Sequence, residues 1–488
     1  MREVRKKSAD SAVNQLLVKA YKEKIDLAWD RADAMQPQCG FARLALCCTD
    51  CQEGPCRVNP FGAEEQAAIC GRDRHDLVAA TFLKKVAGGT AALVRLAGDF
   101  GGEMDIKDIL AVMQGDAMSG CAELGALLAV YGKTSAVALQ AIDTVKAGLR
   151  AAGPQAAEVN LGVLKAGAVN VVVYGHVAPD ALLALAKAAN AARLNLVTMC
   201  GNEGSGSLNL PVLTNYDSQE APLLSGAVDL LVIGEQCVMP AAPILAGRLG
   251  IPVVVAGGLK KAEQVKQGVD AAQEHFAQRA GKNVDIPETK AAFQTNYTAA
   301  NSAELIKTIS NGYTQGKVRG LVYLGGCGNI SVTQDAHLVK LAGELISQGY
   351  VVVTAGCAGT ALAKAGLCSP AMVPAGLKAI LPANTPAVLH IGSCHDAATF
   401  LAMAQSASES GTPVCAVLPE LVHDKTLATA VAFATKGLTV FAEAEWLYCD
   451  AKVARILGED LKAATGGAIL PLGDFATLQL QAEVAAAK

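Results

Sequence analysis

The chain has 488 residues, 52% of them hydrophobic and only 4% aromatic, with a formal net charge of −4. Mixed charge of that size leaves no electrostatic footprint for nucleic acid, and no uninterrupted apolar run reaches the ~18 residues of a membrane span. The opening "MREVRKKSADSAVNQ" lacks the apolar centre of a secretory signal, so the expectation is a cytoplasmic protein of about three domains at ~150 residues each.

In chain order, "SADSAVNQLLVKAYKEKIDLAWDRADAM" has apolar residues at helical spacing, with Ser8 as the expected cap and Pro37 as the stop. After a cysteine-rich loop, "DRHDLVAATFLKKVAGGTAALVRLAGDF" reads as helix, and residues 104–155 continue as Ala- and Leu-rich helix. From about residue 168 short β-branched runs alternate with helix-length segments: "AVNVVVYGH", "LNLVTMC", "VDLLVIGEQC" and "IPVVVAGG". A less regular polar stretch spans 281–316, and the alternation resumes with "VRGLVYLGGC", "YVVVTAGC", "PAVLHIGSC", "TPVCAVLP" and "LTVFAEA". Apolar strands alternating with helices predict parallel βαβ sheets. The fold class is therefore α/β: a helical domain over 1–155, then two Rossmann-like, doubly wound domains over 156–316 and 317–488.

The 15 cysteines are the unusual feature. A reducing cytosol disfavours disulfides, so metal ligation or redox chemistry is expected. "LALCCTDCQEGPC" holds Cys47, Cys48, Cys51 and Cys56, with Cys39 before it and Cys70 after it. Cys48, Cys51, Cys56 and Cys70 make a four-thiolate set, enough for one cubane iron–sulfur cluster or one tetrahedral zinc. Cys39 and Cys47 are left as half a set, which a two-fold dimer would complete with its own copy.

Five strand-like runs end in Cys200, Cys237, Cys327, Cys357 and Cys394, and a sixth ends in His176. Open α/β sheets bind ligands beyond the carboxyl ends of their strands, so these side chains are candidate metal ligands converging on one cavity. A cysteine at a strand end is also an ordinary small buried hydrophobe. Cys121, Cys368, Cys415 and Cys449 are assigned to that class.

These residues resemble the nickel–iron carbon monoxide dehydrogenases of anaerobic microbes, which are related to the hybrid-cluster proteins. "CCTDCQEGPCRVNPFG…CGRDR" is similar to that family's N-terminal cluster motif. "VYGHVAP", "CGNE", "GEQCVMP", "GGCGN", "TAGCAGTALAKAGL" and "LHIGSC" follow its active-site motifs in order. The resemblance implies one [4Fe-4S] cluster per subunit on Cys48, Cys51, Cys56 and Cys70, and another shared across a homodimer through Cys39 and Cys47. It implies a Ni–Fe–S active-site cluster, with Cys237, Cys327 and Cys357 on its iron–sulfur core and Cys394 on nickel. His176 and Cys200 would bind the pendant iron. The implied reaction is CO + H2O ⇌ CO2 + 2H+ + 2e−, with Lys425 hydrogen-bonding the substrate oxygen and a ferredoxin-like protein taking the electrons.

The sequence departs from the family in four places. The family's histidine base is replaced by Leu93, and no histidine occurs between His75 and His176. The N-terminal helical region is shorter, the family's "CTGNE" is reduced to "CGNE", and Thr429 stands where an apolar residue is usual. Two other readings follow. One is an iron–sulfur reductase of another small molecule such as hydroxylamine, its cluster carrying oxygen in place of some sulfide. The other is a non-catalytic electron carrier or redox sensor.

Overall fold

Strands form where the sequence loses its charge. Val171, Val172 and Val173 are fully buried, as are Val351, Val352 and Val353, because parallel strands covered on both faces have no wet side. The computed structural model describes residues 6–473 apart from 60, 62–65, 102–103, 108, 111–119, 149–152, 204–205, 260, 444–446 and 448–449. Within it the chain divides into two compact units, Met1–Ala34 with Asp143–Thr412, and Met35–Ile142 with Pro413–Lys488. The α/β class read from the sequence is the class observed.

The first unit contains two groups of parallel strands. One runs in the spatial order Asn195–Met199, Asn170–Tyr174, Val228–Ile233, Val253–Val255. The chain moves outward from Asn170–Tyr174 to Asn195–Met199 and then crosses back to Val228–Ile233. The strand order therefore reverses between Asn170–Tyr174 and Val228–Ile233, which opens a crevice at their carboxyl ends. The other group holds Gly320–Gly326, Tyr350–Thr354 and Val388–His390. An antiparallel pair, Gln155–Val159 with Ala291–Thr295, lies outside this scheme.

The second unit has the parallel strands Val414–Glu420, Thr439–Ala442 and Ala468–Pro471. Its longest helix, Arg74–Asp99, is capped by Asp73, whose carboxylate accepts from the Asp76 N–H at 2.8 Å. This helix packs on Asp424–Thr435 so closely that a side chain at Gly89 would overlap the Asp424 carbonyl. Arg74–Asp99 and Leu124–Ala147 are long and apolar enough to cross a membrane by length and composition, and 67% of the first one's most apolar window is buried inside the fold.

Several elements differ from the sequence reading. The first predicted helix is two, Ser11–Glu23 and Ala28–Ala34, separated at Lys24, which adopts a left-handed conformation with φ 57°. Its cap is Asp10, accepting from the Ala12 N–H; Ser8 instead accepts from the Asp10 N–H. The polar stretch 281–316 contains the strand Ala291–Thr295 and the helix Ala303–Thr314.

Candidate functional site

All six proposed ligands of the active-site set lie in the first unit, each just beyond a strand. His176 and Cys200 follow Asn170–Tyr174 and Asn195–Met199 closely, and Cys237 lies four residues past Val228–Ile233. Cys327 follows Gly320–Gly326 directly, Cys357 sits in the first turn of the helix Gly356–Lys364, and Cys394 begins the turn Cys394–Asp396. His176, Cys200, Cys327 and Cys357 are buried, while Cys237 and Cys394 are half-buried.

The loops around His176 interlock through their backbones. The Gly234 N–H donates to the Tyr174 carbonyl at 2.7 Å, the Glu235 N–H to the His176 carbonyl at 3.0 Å, and the His176 N–H to the Gln236 carbonyl at 3.1 Å. A side chain at Gly234 would overlap the His176 carbonyl, and one at Gly201 would lie 2.9 Å from the His176 nitrogen. Only glycine allows this approach. Cys200 and Cys237 adopt positive φ values of 43° and 60°. Such a conformation costs ~1–2 kcal/mol for a residue with a Cβ and persists where the surroundings dictate the side-chain direction.

Those directions converge. The His176 Nε2 lies 3.4 Å from the Cys237 Sγ and 3.5 Å from the Cys394 Sγ. The Cys200 and Cys357 sulfurs are 3.4 Å apart, far beyond the ~2.05 Å of a disulfide. Hydrogen bonding with Cys237 and Cys357, together with burial, pushes the Cys200 thiol well above its ordinary range. For Cys357 the hydrogen bond from Cys200 favours the thiolate, but burial and Glu203 outweigh it and the thiol is raised. Burial, followed by the charges of Cys237, Cys200 and Cys327, pushes the Tyr216 hydroxyl up to about 12.

The donor set fits a soft metal group. It is a set of thiols, most of them buried, with one imidazole nitrogen within 3.5 Å of two of them, and thiolates with imidazole suit iron, iron–sulfur and nickel. Burying several thiols without their metal raises their pKa values, and a cation that holds them as thiolates removes that penalty.

Four further side chains stand at this site. Glu203 is fully buried, accepts from the Gly201 N–H at 2.9 Å, and is pushed up to about 7 by burial. It shares a potential metal-holding group with Cys200 and Cys357. His395 places its Nδ1 2.9 Å from the His176 Nδ1, and its ring meets the His176 ring edge-on. Lys146 and Asp396 pair at 2.6 Å beside it. "CGNE" and "GSCHD" carried a signal for Glu203 and His395, each beside a candidate cysteine. Nothing local marks Lys146.

The N-terminal cysteines lie in the second unit. Cys47–Cys48 pairs antiparallel with Cys56–Arg57, with Cys48 opposite Cys56. Cys48 and Cys56 pack against Val58, Ala68 and Leu77, and strand alternation turns Cys47 to the other face. Cys39, Cys51 and Cys70 are exposed. The Ala42 and Phe41 N–H groups lower the Cys39 pKa. Asp50 is held by Arg72 at 2.8 Å and by Lys84.

Lys425 is in the first turn of Asp424–Thr435, and the Thr429 hydroxyl donates to its carbonyl at 2.9 Å. Leu93 is buried in Arg74–Asp99. Of the four cysteines assigned to plain packing, Cys121 and Cys368 are buried, Cys415 is half-buried, and Cys449 lies outside the described residues.

Comparison with known proteins places this arrangement. A family profile described as Prismane/CO dehydrogenase matches residues 103–475. The chain belongs to the prismane/CO dehydrogenase family. Among the relatives it matches, carbon monoxide dehydrogenase 2 of Carboxydothermus hydrogenoformans is 30% identical over 601 aligned positions, covering 94% of each chain. That alignment is longer than the 488-residue chain, so the relative carries segments that are missing here. The solved structure of carbon monoxide dehydrogenase IV from the same organism superposes with a TM-score of 0.88 at 26% identity, covering 99% of both chains. A nickel-free carbon monoxide dehydrogenase from Thermococcus sp. AM4 gives 0.87 at 25% identity, covering 99% of this chain and 97% of that one. The family is one of oxidoreductases with iron–sulfur clusters, some of them nickel-bearing.

Proposed function

We propose that this chain is a compact carbon monoxide dehydrogenase catalysing CO + H2O ⇌ CO2 + 2H+ + 2e−. The observation that carries the reading is the convergence of the His176 Nε2 with the Cys237 and Cys394 thiols at 3.4 and 3.5 Å, beside the buried Cys200–Cys357 pair. In this reading Cys237, Cys327 and Cys357 hold an iron–sulfur core, Cys394 holds nickel, and His176 and Cys200 hold the pendant iron. Thiolates suit iron–sulfur and nickel, and imidazole suits iron. Once bound, the Ni–Fe–S group supplies Lewis acidity toward CO and water and accepts the electron pair.

The chain's own residues do the rest. The Lys425 ammonium hydrogen-bonds the substrate oxygen and stabilises its developing charge. Leu93 offers no proton acceptor, and general base catalysis is worth ~10²–10⁴-fold, so turnover is slower than in relatives with a histidine there. Cys48, Cys51, Cys56 and Cys70 hold one [4Fe-4S] cluster in each subunit, and Cys39 and Cys47 of two subunits hold another across a homodimer. Such clusters would supply one-electron transfer, and a ferredoxin-like protein of the cytoplasm would be the acceptor.

The test is CO-dependent viologen reduction by anaerobically purified, nickel-supplied protein. Activity that disappears in Cys394→Ala supports the reading; no activity from protein with full iron and nickel sinks it. Leu93 favours one second reading, a hybrid-cluster-like reductase of a molecule such as hydroxylamine, whose chemistry does not need the same base. Hydroxylamine-dependent viologen oxidation by the same preparation separates the two.

A further inference from the structure

His176 ends a line of side chains that no part of the proposed reaction uses. The Lys146 Nζ donates to the Asp396 Oδ2 at 2.6 Å. The same carboxylate oxygen faces the Ser393 Oγ at 2.9 Å and accepts from the Ser393 N–H at 2.8 Å. The Ser393 Oγ lies 2.9 Å from the His395 Nε2, and the His395 Nδ1 lies 2.9 Å from the His176 Nδ1. The His176 Nδ1 is also 2.9 Å from the Gly201 carbonyl. Ser393, His395 and Asp396 are buried, and the Lys146 side chain is 12% exposed.

Donor counting fixes the direction. A carboxylate and a carbonyl only accept, and a neutral imidazole carries one N–H. The Gly201 carbonyl requires the proton of His176 on Nδ1, because a bare nitrogen there would set two lone pairs against each other. The His395 Nδ1 is then the acceptor, so His395 carries its proton on Nε2 and donates to the Ser393 Oγ. The Ser393 hydroxyl donates to Asp396, which Lys146 anchors. Lys146 also lies 3.0 Å from the His395 Nε2. If it donated there, His395 would be protonated on Nδ1 and His176 would lose its Nδ1 proton. The ammonium has three N–H groups, and the Asp396 carboxylate at 2.6 Å and the Ser393 Oγ at 3.3 Å take two of them; the Gly201 carbonyl, which can only accept, decides the tautomer.

From this we infer that His395, braced by Ser393, Asp396 and Lys146, is a positioning residue that fixes the ring angle of His176 by sharing its Nδ1 proton with the Gly201 carbonyl. Held there, His176 turns its unprotonated Nε2 to Cys237 and Cys394. The inference rests on the reading of His176 as a metal ligand. Partners that orient a ligating histidine in this way are typically worth ~10–100-fold in metal affinity.

The experiment uses cobalt(II) as probe on the metal-free full chain, with the absorbance lost in His176→Ala defining this site. His395→Val is expected to weaken that component ~10–100-fold. His395→Asn, whose amide oxygen falls near the Nδ1 position, is expected to restore most of the affinity. Nitrogen-15 spectra of histidine-labelled protein, which has seven histidines, are expected to show His176 protonated on Nδ1 in both proteins, with its Nδ1 resonance moved in His395→Val by loss of the second acceptor. Unchanged cobalt binding and an unmoved Nδ1 resonance in His395→Val, with His176→Ala still deficient, would overturn the inference alone. Cobalt binding indifferent to His176→Ala would overturn the ligand reading and the inference with it.

Discussion

Cys357 and Cys39 carry the same functional group in opposite settings. Cys357 is buried among Cys200, Glu203 and the backbone of interlocked loops. Cys39 stands exposed at the start of the four-residue helix Gly40–Arg43. In the first case the interlocked loops direct the thiols, and left-handed backbone at Cys200 and Cys237 is part of that construction. In the second, only a two-residue antiparallel ladder orders the thiols. A deep site selects its guest by shape and donor type; a shallow one leaves thiols open to solvent, reagents or a second copy of the chain.

Breaking each region separately separates their roles. Cys357→Ala removes a ligand and is expected to lower CO-dependent viologen reduction by more than ~100-fold, beyond the loss of an orienting partner. The low-temperature paramagnetic signal of the N-terminal cluster should survive it. Cys39→Ser should instead disturb the dimer, read by sedimentation, while the active-site metal content holds. A metal-free sample sharpens the comparison further. Iodoacetamide should label Cys39, Cys51 and Cys70 more than ~10-fold faster than Cys200, Cys357 and Cys368, because buried thiols react only when the structure opens. Peptide mass spectrometry reads the order, and equal rates would mean that the deep chamber does not persist without metal.

The smallest effect concerns the first unit's tolerance of acid. His390 is buried, with its Nδ1 2.7 Å from the Thr295 hydroxyl and its Nε2 without a partner. Burial holds its pKa down at about 4, against the opposing pull of Asp396. Below its ordinary value near 6.5 the unfolded chain takes up a proton that the folded chain refuses until about pH 4. Stability from this group is therefore complete above pH ~6.5 and falls as the pH drops toward ~4, by about 3 kcal/mol in all. Urea midpoints of the metal-free protein should fall across this window, and less steeply in His390→Asn.

The strand-end candidates are legible because each apolar run terminates in an abrupt change of chemistry, as in "NVVVYGH" and "YVVVTAGC". The antiparallel pair was not, since "QAAEV" and "AAFQT" lack an apolar run and are joined by a register between distant segments. The break at Lys24 escaped notice because neither glycine nor proline marks it. Lys146 and His395 meet across 249 residues of chain, and only tertiary structure brings a lysine to that histidine.

Leu93 has a consequence for how such a chain changes over generations. It is 2% exposed, in a helix whose neighbouring Val86, Leu96 and Ala97 are also buried. A single change to histidine would put two ring nitrogens into this buried helix face, and an unsatisfied buried polar group costs ~1–3 kcal/mol. Further changes would have to supply partners for those nitrogens. Position 93 thus resists conversion to a polar side chain one substitution at a time.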